Sequence, residues 1–347
     1  MAIDINSPLK IGSVTTKGPR LILAPMSGVT NSAFRRLLRR ENPNGLGHVV
    51  TEFISIEGLT RANAQSVRML AFAPEERTIS IQIFGYDVDR MRDAALMAQD
   101  SGAEIVDINS GCPVPKVVRR GGGCELMRQP IHMAQMLTAV RAAVKIPLTL
   151  KIRSGWDDAC RNGIEIAKIA EDCGVDMLAV HGRTRTQLYR GESDWDFIGR
   201  VASSVKIPVV GSGDVVDVAS AKDKLERSGV AALMIGRGAL QKPWIFEEIH
   251  AGMTGRTFVP PSPARLFELF GEYRDLLLEQ MPEKGAIGKL KQLASQATRS
   301  FPGSAFARKA LVQSSSISHF SELLKFYRDG LQEGQFNVEG EPGLQSV

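Results

Sequence analysis

Ile105-Val106-Asp107-Ile108-Asn109-Ser110-Gly111-Cys112-Pro113 joins a β-branched run directly to a polar turn. The run reads as a strand, and Gly111 with Pro113 and Pro115 closes it. An amphipathic stretch, Ile131 to Val144, follows, and then another apolar run, Leu148 to Ile152. Strand, polar turn, helix and strand together make the βα unit of a parallel sheet.

The same unit recurs on both sides. Candidate strands are Leu21 to Leu23, His48 to Thr51, Ile79 to Ile83, Ile105 to Ile108, Leu148 to Ile152, Met177 to Val180, Pro208 to Val210 and Ala232 to Ile235. Helical patterns fill the gaps, as at Met91 to Gly102, Gly163 to Cys173 and Val218 to Ser228. Eight strands with intervening helices close a ring, so the expected fold is α/β, a (β/α)8 TIM barrel over residues 1–250. The texture then changes. A Gly- and Pro-punctuated linker is expected over 251–263, a helical domain over 264–331 and a frayed polar tail over 332–347. Arg265 to Glu279, Gly288 to Arg299, Ala305 to Val312 and Ser318 to Gly330 are the expected helices of that domain.

Of the 347 residues, 43% are hydrophobic and 23% charged, as in a globular protein, and the net charge of +5 leans toward an anionic partner. The N-terminus carries an early acid and no apolar leader, and no run is long enough to span a membrane. Cys112, Cys124, Cys160 and Cys173 form no Cys-x-x-Cys pair and have no His at zinc-like spacing. They read as free thiols in a reducing compartment, which places the chain in the cytoplasm with no metal site.

Barrel chemistry gathers at the carboxyl ends of the strands. There the sequence puts Pro25, Met26 and Ser27, then Glu52, Gln82, Asn109 to Pro113, Lys151 with Arg153, His181 with Arg183, Ser212-Gly213-Asp214 and Gly236-Arg237-Gly238. Small residues after strands seven and eight, with a guanidinium near a helix start, suit a phosphate. A flavin mononucleotide fits that arrangement, its phosphate beside Gly213 and Gly236 and its ring near Pro25, Met26, Gln82 and Lys151. Lys151 then faces the ring edge that becomes electron-rich on reduction. Cys112, in a loop stiffened by two prolines, reads as the chemical group, and His181 as a contact to cofactor or substrate.

Five stretches in order resemble the tRNA-dihydrouridine synthases, especially the bacterial B-type branch. They are Ala-Pro-Met-Ser-Gly-Val-Thr (24–30), Asp-Ile-Asn-Ser-Gly-Cys-Pro (107–113), Leu-Lys-Ile-Arg-Ser-Gly-Trp (150–156), His-Gly-Arg-Thr-Arg (181–185) and Met-Ile-Gly-Arg-Gly-Ala (234–239), continued by Pro243-Trp244-Ile245-Phe246. The resemblance implies an FMN-containing barrel that takes hydride from NADPH (or NADH) and reduces the C5–C6 bond of uridine in tRNA. It implies that Cys112 donates the proton as general acid, and that Pro25, Met26, Ser27, Gln82, Lys151, His181, Ser212, Gly213, Asp214, Gly236 and Arg237 contact the flavin. Two positions depart from the family pattern: Asn31 stands where Asp is usual, and Ser212 where Asn is usual. The His and the Trp-Tyr pair that many relatives carry in the helical domain are missing from Gly288 to Arg299.

Lys284 to Ser321 contains no acid, while Lys284, Lys289, Lys291, Arg299, Arg308 and Lys309 are basic, a composition that favours RNA phosphates. Arg119 and Arg120 extend that surface, and Asn109, Arg153 and Arg183 complete the expected RNA contacts. No obligate protein partner is implied. Ribosomal RNA stays open as a substrate within this reading. Competing with it are a free-pyrimidine flavin oxidoreductase of the dihydroorotate dehydrogenase kind and an RNA-binding protein on a degenerate barrel.

Overall fold

The computed structural model describes residues 4–300 and 304–332. Eight strands form the barrel: β1 (Leu21–Leu23), β2 (His48–Val50), β3 (Ile79–Phe84), β4 (Ile105–Ser110), β5 (Leu148–Arg153), β6 (Met177–His181), β7 (Val209–Ser212) and β8 (Ala232–Ile235). Each pairs in parallel with its neighbours in sequence, and β8 pairs with β1, so the ring closes and the expected TIM barrel is present. A two-residue strand, Ile54–Ser55, extends the sheet beside the end of β3. Closure leaves the eight barrel strands without a free edge strand among the described residues.

The strands alternate. Ile22, Ala24, Val50, Ile105, Ala179, Val210, Ala232 and Met234 pack on one another inside the ring. Leu23, Val49, Ile81, Val106, Leu150 and Val180 belong to the larger cluster shared with the outer helices. Period two on every strand therefore builds two cores, one inside and one outside. A hairpin, Lys10–Ile11 with Val14–Thr15, plugs the lower end with Leu9 and Ile11. Its strands were too short to read in the sequence.

The helices that surround or cap the barrel include α1 (Ser32–Glu41), α2 (Val88–Asp100), α3 (Pro130–Ala143), α4 (Gly163–Asp172), α5 (Trp195–Ala202), α6 (Val218–Ser228), α7 (Arg237–Gln241) and α8 (Ile245–Met253), with short helical turns at Ile56–Thr60, Ala64–Arg68 and Pro115–Val118 between them. Asn31, Asp87, Asp194 and Asp217 cap α1, α2, α5 and α6, each accepting a backbone N–H with its side chain. Such caps contribute about 1 kcal/mol each and fix where the preceding loop ends.

Beyond the barrel lie α9 (Pro263–Leu278), α10 (Glu283–Ala297), α11 (Ala305–Gln313) and α12 (Ile317–Gln332). Helix α10 begins before Gly288, where the sequence pattern starts it, because buried Ala286 and Leu290 outweigh the poor helix propensity of Gly285 and Gly288. Tyr273 of α9 meets Phe34 of α1 edge-on at 6.0 Å. Arg265 pairs with Glu41, so the helical region is docked by both apolar and charged contacts. The polar tail from 333 onward lies outside the described residues. Among the described residues no helix is long and apolar enough to cross a membrane.

Candidate active site

A cavity of about 610 Å³ opens at the carboxyl ends of the strands. Parallel register aligns its wall: Asn109 stands beside Lys151, Arg153 beside His181, and His181 beside Ser212. Two polar levels face inward, Asn109 with Lys151 and, one step nearer the carboxyl ends, Arg153 with His181 and Ser212.

Cys112 lines this cavity and is only 6% exposed. Asn109 Oδ1 accepts the N–H groups of Gly111 (3.1 Å) and Cys112 (2.9 Å), folding the chain back after β4. The Cys112 carbonyl accepts from Cys124 N–H at 3.1 Å. Gly123 has φ +60°, and a Cβ there would lie 2.5 Å from that same carbonyl, so glycine is required. Burial pushes the Cys112 thiol up, against the pull of the Val114 N–H, Arg153 and Lys151. A protonated thiol results at neutral pH.

Lys151 also lines the cavity. Burial, reinforced by Arg153, pushes its ammonium down to about 8. Among the described residues it makes no hydrogen bond or ion pair. Arg153 behaves otherwise: Nε donates to Gly111 O (3.0 Å), and Nη1 to Thr184 O and Leu188 O (2.8 Å each). It staples the end of β5 to the loops after β4 and β6.

His181 Nδ1 accepts the Arg183 N–H at 3.2 Å, which leaves the ring proton on Nε2. Burial and the surrounding Lys151, Arg153, Arg183 and Arg237 hold its pKa well below the ordinary value, so the ring is neutral. Arg183 is buried and does not line the cavity: its guanidinium grips Asp214 at 2.8 Å and the Gly191 carbonyl at 2.6 Å. Asp214 in turn reaches Arg237 at 3.1 Å. Pro25, Met26 and Ser27 form the wall after β1, while Ser212, Gly213, Asp214, Gly236 and Arg237 form the end after β7 and β8. Gly213 adopts φ +123° with a Cβ position 2.3 Å from Ser193 Oγ, which again admits only glycine.

Gln82 is placed differently from its neighbours at the rim. Fully buried, it donates to Asp107 and accepts from Asn109 Nδ2 at 2.8 Å, one tier beneath the cavity wall. Asp107 also accepts from Thr149. This network orients Asn109, and through it Cys112.

The basic residues separate. Arg119, Arg120, Lys284, Arg299 and Lys309 are exposed, and Lys291 and Arg308 half-buried. Lys289 is turned to the Gly28 carbonyl. Asn31 caps α1 and donates to Tyr273 Oη at 3.4 Å, a bond that the usual Asp could not donate. Nothing in the sequence marks Tyr189 as a site residue. Its ring lines the cavity, with Arg237 4.9 Å and Arg153 5.7 Å from its centroid. It sits in a loop whose spacing carries no signal.

A closed parallel barrel that gathers a thiol, an ammonium and a neutral imidazole at its carboxyl end has the design of a barrel enzyme. Residues 22–330 match the family model described as dihydrouridine synthase (Dus). A probable tRNA-dihydrouridine synthase of Rickettsia conorii is 38% identical over 322 residues, covering 92% of this chain and 96% of the relative. The tRNA-dihydrouridine synthase B of Shewanella oneidensis is 42% identical over 280 residues, covering 77% and 86%, and that of Pseudomonas putida is 45% identical over 258 residues, covering 74% and 75%. The chain belongs to the dihydrouridine synthase family. Among solved structures, a 2-naphthoyl-CoA reductase complex superposes with a TM-score of 0.56 at 15% identity, over 74% of this chain and 53% of that one. That likeness concerns the fold.

Proposed function

We propose that this protein is an FMN- and NADPH-dependent tRNA-dihydrouridine synthase, with Cys112 as the general acid. The observation that carries the reading is the meeting, in one cavity, of a buried protonated thiol and an ammonium that makes no hydrogen bond or ion pair among the described residues. Reducing a C5–C6 bond requires a hydride at C6 and a proton at C5. When bound, FMN supplies the hydride, obtained from NADPH.

The residues fit such a group. A buried cation without an ion-pair partner is costly, and Lys151 lines the cavity with mainly the pull of Asp107, which makes no ion pair with it, to offset that cost. At the other end, the strained Gly213 turn, Gly236 and Arg237 suit a phosphate. Pro25, Met26, Ser27, His181, Ser212 and Asp214 would complete the holding surface, with Gln82 supporting it from below. The cavity volume lies within the range of small-ligand sites.

Cys112 holds a proton at Sγ and delivers it to C5, taking another from solvent after each turnover. Neutral His181 donates from Nε2 without adding charge. The acid-free stretch from Lys284 to Ser321, with exposed Lys284, Arg299 and Lys309, suits RNA phosphates. The relatives, named as tRNA-dihydrouridine synthases, favour tRNA over ribosomal RNA.

Purified protein should be yellow. After anaerobic reduction by NADPH, its flavin should be reoxidised by tRNA lacking dihydrouridine, and the RNA should gain that base. A folded protein that takes up no flavin, or one reoxidised equally fast by free uridine or ribosomal RNA fragments, would overturn the assignment.

A further inference from the structure

Trp156, in the loop after β5, has two guanidiniums over its ring: Arg128 at 4.6 Å and Arg185 at 4.7 Å. Three rim loops meet there. Arg128 ends the turn that follows the Cys112 loop, and Arg185 lies in the loop after β6. Arg185 N–H donates to Gly155 O at 2.9 Å and Thr186 N–H to Trp156 O at 3.0 Å, so the second and third loops are zipped together. A Cβ at Gly155 would lie 2.1 Å from Cys160 O, which holds the turn tight beneath the indole.

Two cations on one indole repel each other, and each needs a counter-charge. Arg128 has Glu125 at 3.2 Å, with its side chain 51% exposed. Arg185 has none: among the described residues its guanidinium makes no hydrogen bond or ion pair, and its Nε is buried without an acceptor. The Asp157 carboxylate accepts the Ala159 and Cys160 N–H groups at Oδ1 and makes no ion pair with Arg185. Arg161, in the same loop, pairs with Asp194. Stacking on Trp156 presets the Arg185 plane, yet leaves its charge unanswered.

We infer that Arg185, with Arg128 on the Trp156 platform, binds a backbone phosphodiester of the substrate RNA next to the reacting nucleotide. A rigid guanidinium fork matches phosphate oxygens, and a second cation shares the negative charge. Location supports this role: the platform stands on the β4–β6 side of the mouth, next to the Cys112 loop and away from the β7–β8 end. A nucleotide entering toward Cys112 would bring its phosphates over this side. Holding one there helps offset the cost of taking a base out of its stack.

This inference rests on the RNA reading of the site. Its test is binding of unmodified tRNA to the flavin-loaded full chain, followed against salt concentration. Arg185→Gln should weaken binding about tenfold and reduce the slope of log K against log salt by about 1. Arg185→Lys should keep the slope and recover only part of the affinity. A tRNA with one neutral methylphosphonate linkage beside the target uridine should bind wild type more weakly, but bind Arg185→Gln no differently from unmodified tRNA. Flavin absorbance and its reduction by NADPH should stay unchanged in both variants, separating this effect from misfolding. Wild-type affinity and slope in flavin-loaded Arg185→Gln would overturn the inference. If wild type itself bound no RNA, the proposed function would fail first.

Discussion

Lys289 of α10 donates its ammonium to the carbonyl oxygen of Gly28, while the Gly28 N–H donates to the Glu52 carboxylate. The turn carrying Met26 and Ser27 is thus gripped from the helical region on one side and from the end of β2 on the other. Lys289→Met should therefore loosen a wall of the cavity and leave RNA attraction alone. The expected result is flavin affinity reduced several-fold in a fluorescence titration, with the salt dependence of tRNA binding unchanged. A lower salt slope with unchanged flavin affinity would return Lys289 to the RNA surface.

A positively charged residue in a basic stretch looks the same in sequence whether it meets RNA or a carbonyl of its own chain. That is why the sequence groups Lys289 and Arg183 with RNA contacts, although one is turned to Gly28 and the other grips Asp214. Strands were legible because β-branched runs ended in Gly, Pro or polar residues. The rim residues followed from those ends, and Cys112, Lys151 and His181 do line one cavity. Gln82 could not be sorted by period alone: an inward residue near a strand end is either wall or support, and one tier of depth decides. Arg128, Trp156 and Arg185 are distant in sequence, and only the packing of three loops brings them together.

Removing the Cys112 proton donor should separate two half-reactions. Cys112→Ala should keep flavin binding and its reduction by NADPH, yet slow reoxidation by tRNA by about 10²- to 10⁴-fold in single-turnover measurements. Gly123→Ala should slow the same step with the thiol intact, since the added methyl would press on the Cys112 carbonyl. Equal rates of reoxidation in wild type and Cys112→Ala would assign the proton to another group.

Glu76 is buried and accepts from Arg35 Nε at 2.6 Å, from Ser32 Oγ at 2.5 Å and from Ala73 N–H at 2.7 Å. Arg35 also donates to Thr30 O, whose side chain accepts the Met26 N–H at 3.0 Å. Glu76→Ala leaves a buried guanidinium without its counter-charge, so it should cost about 3–5 kcal/mol. Urea unfolding of the flavin-free protein would measure this. A loss below about 1 kcal/mol would mean that water reaches Arg35 and replaces the carboxylate.

Lys151 makes the stability of the flavin-free protein depend on pH in an uncommon direction. Its ammonium titrates near pH 8 in the folded chain, against an ordinary value of 10.5, with burial the main cause and Arg153 the next. Below pH 8 both folded and unfolded chains carry the proton, and the cost of burying the charge is at full size. Between pH 8 and 10.5 the folded chain has released its proton while the unfolded chain still holds one, so that cost shrinks as pH rises. Lys151→Met removes it at every pH. At pH 7 the variant should be more stable than wild type by on the order of 1–3 kcal/mol, an advantage that narrows from pH 8 and is gone near pH 10.5. Added FMN should reverse the order at pH 7, because an anionic ligand answers the ammonium in wild type and finds nothing in the variant. Thermal melts with and without FMN at both pH values would test this. A variant that is less stable than wild type at pH 7 without flavin would mean that the attraction between Lys151 and the buried Asp107 carboxylate outweighs the cost of burying the ammonium.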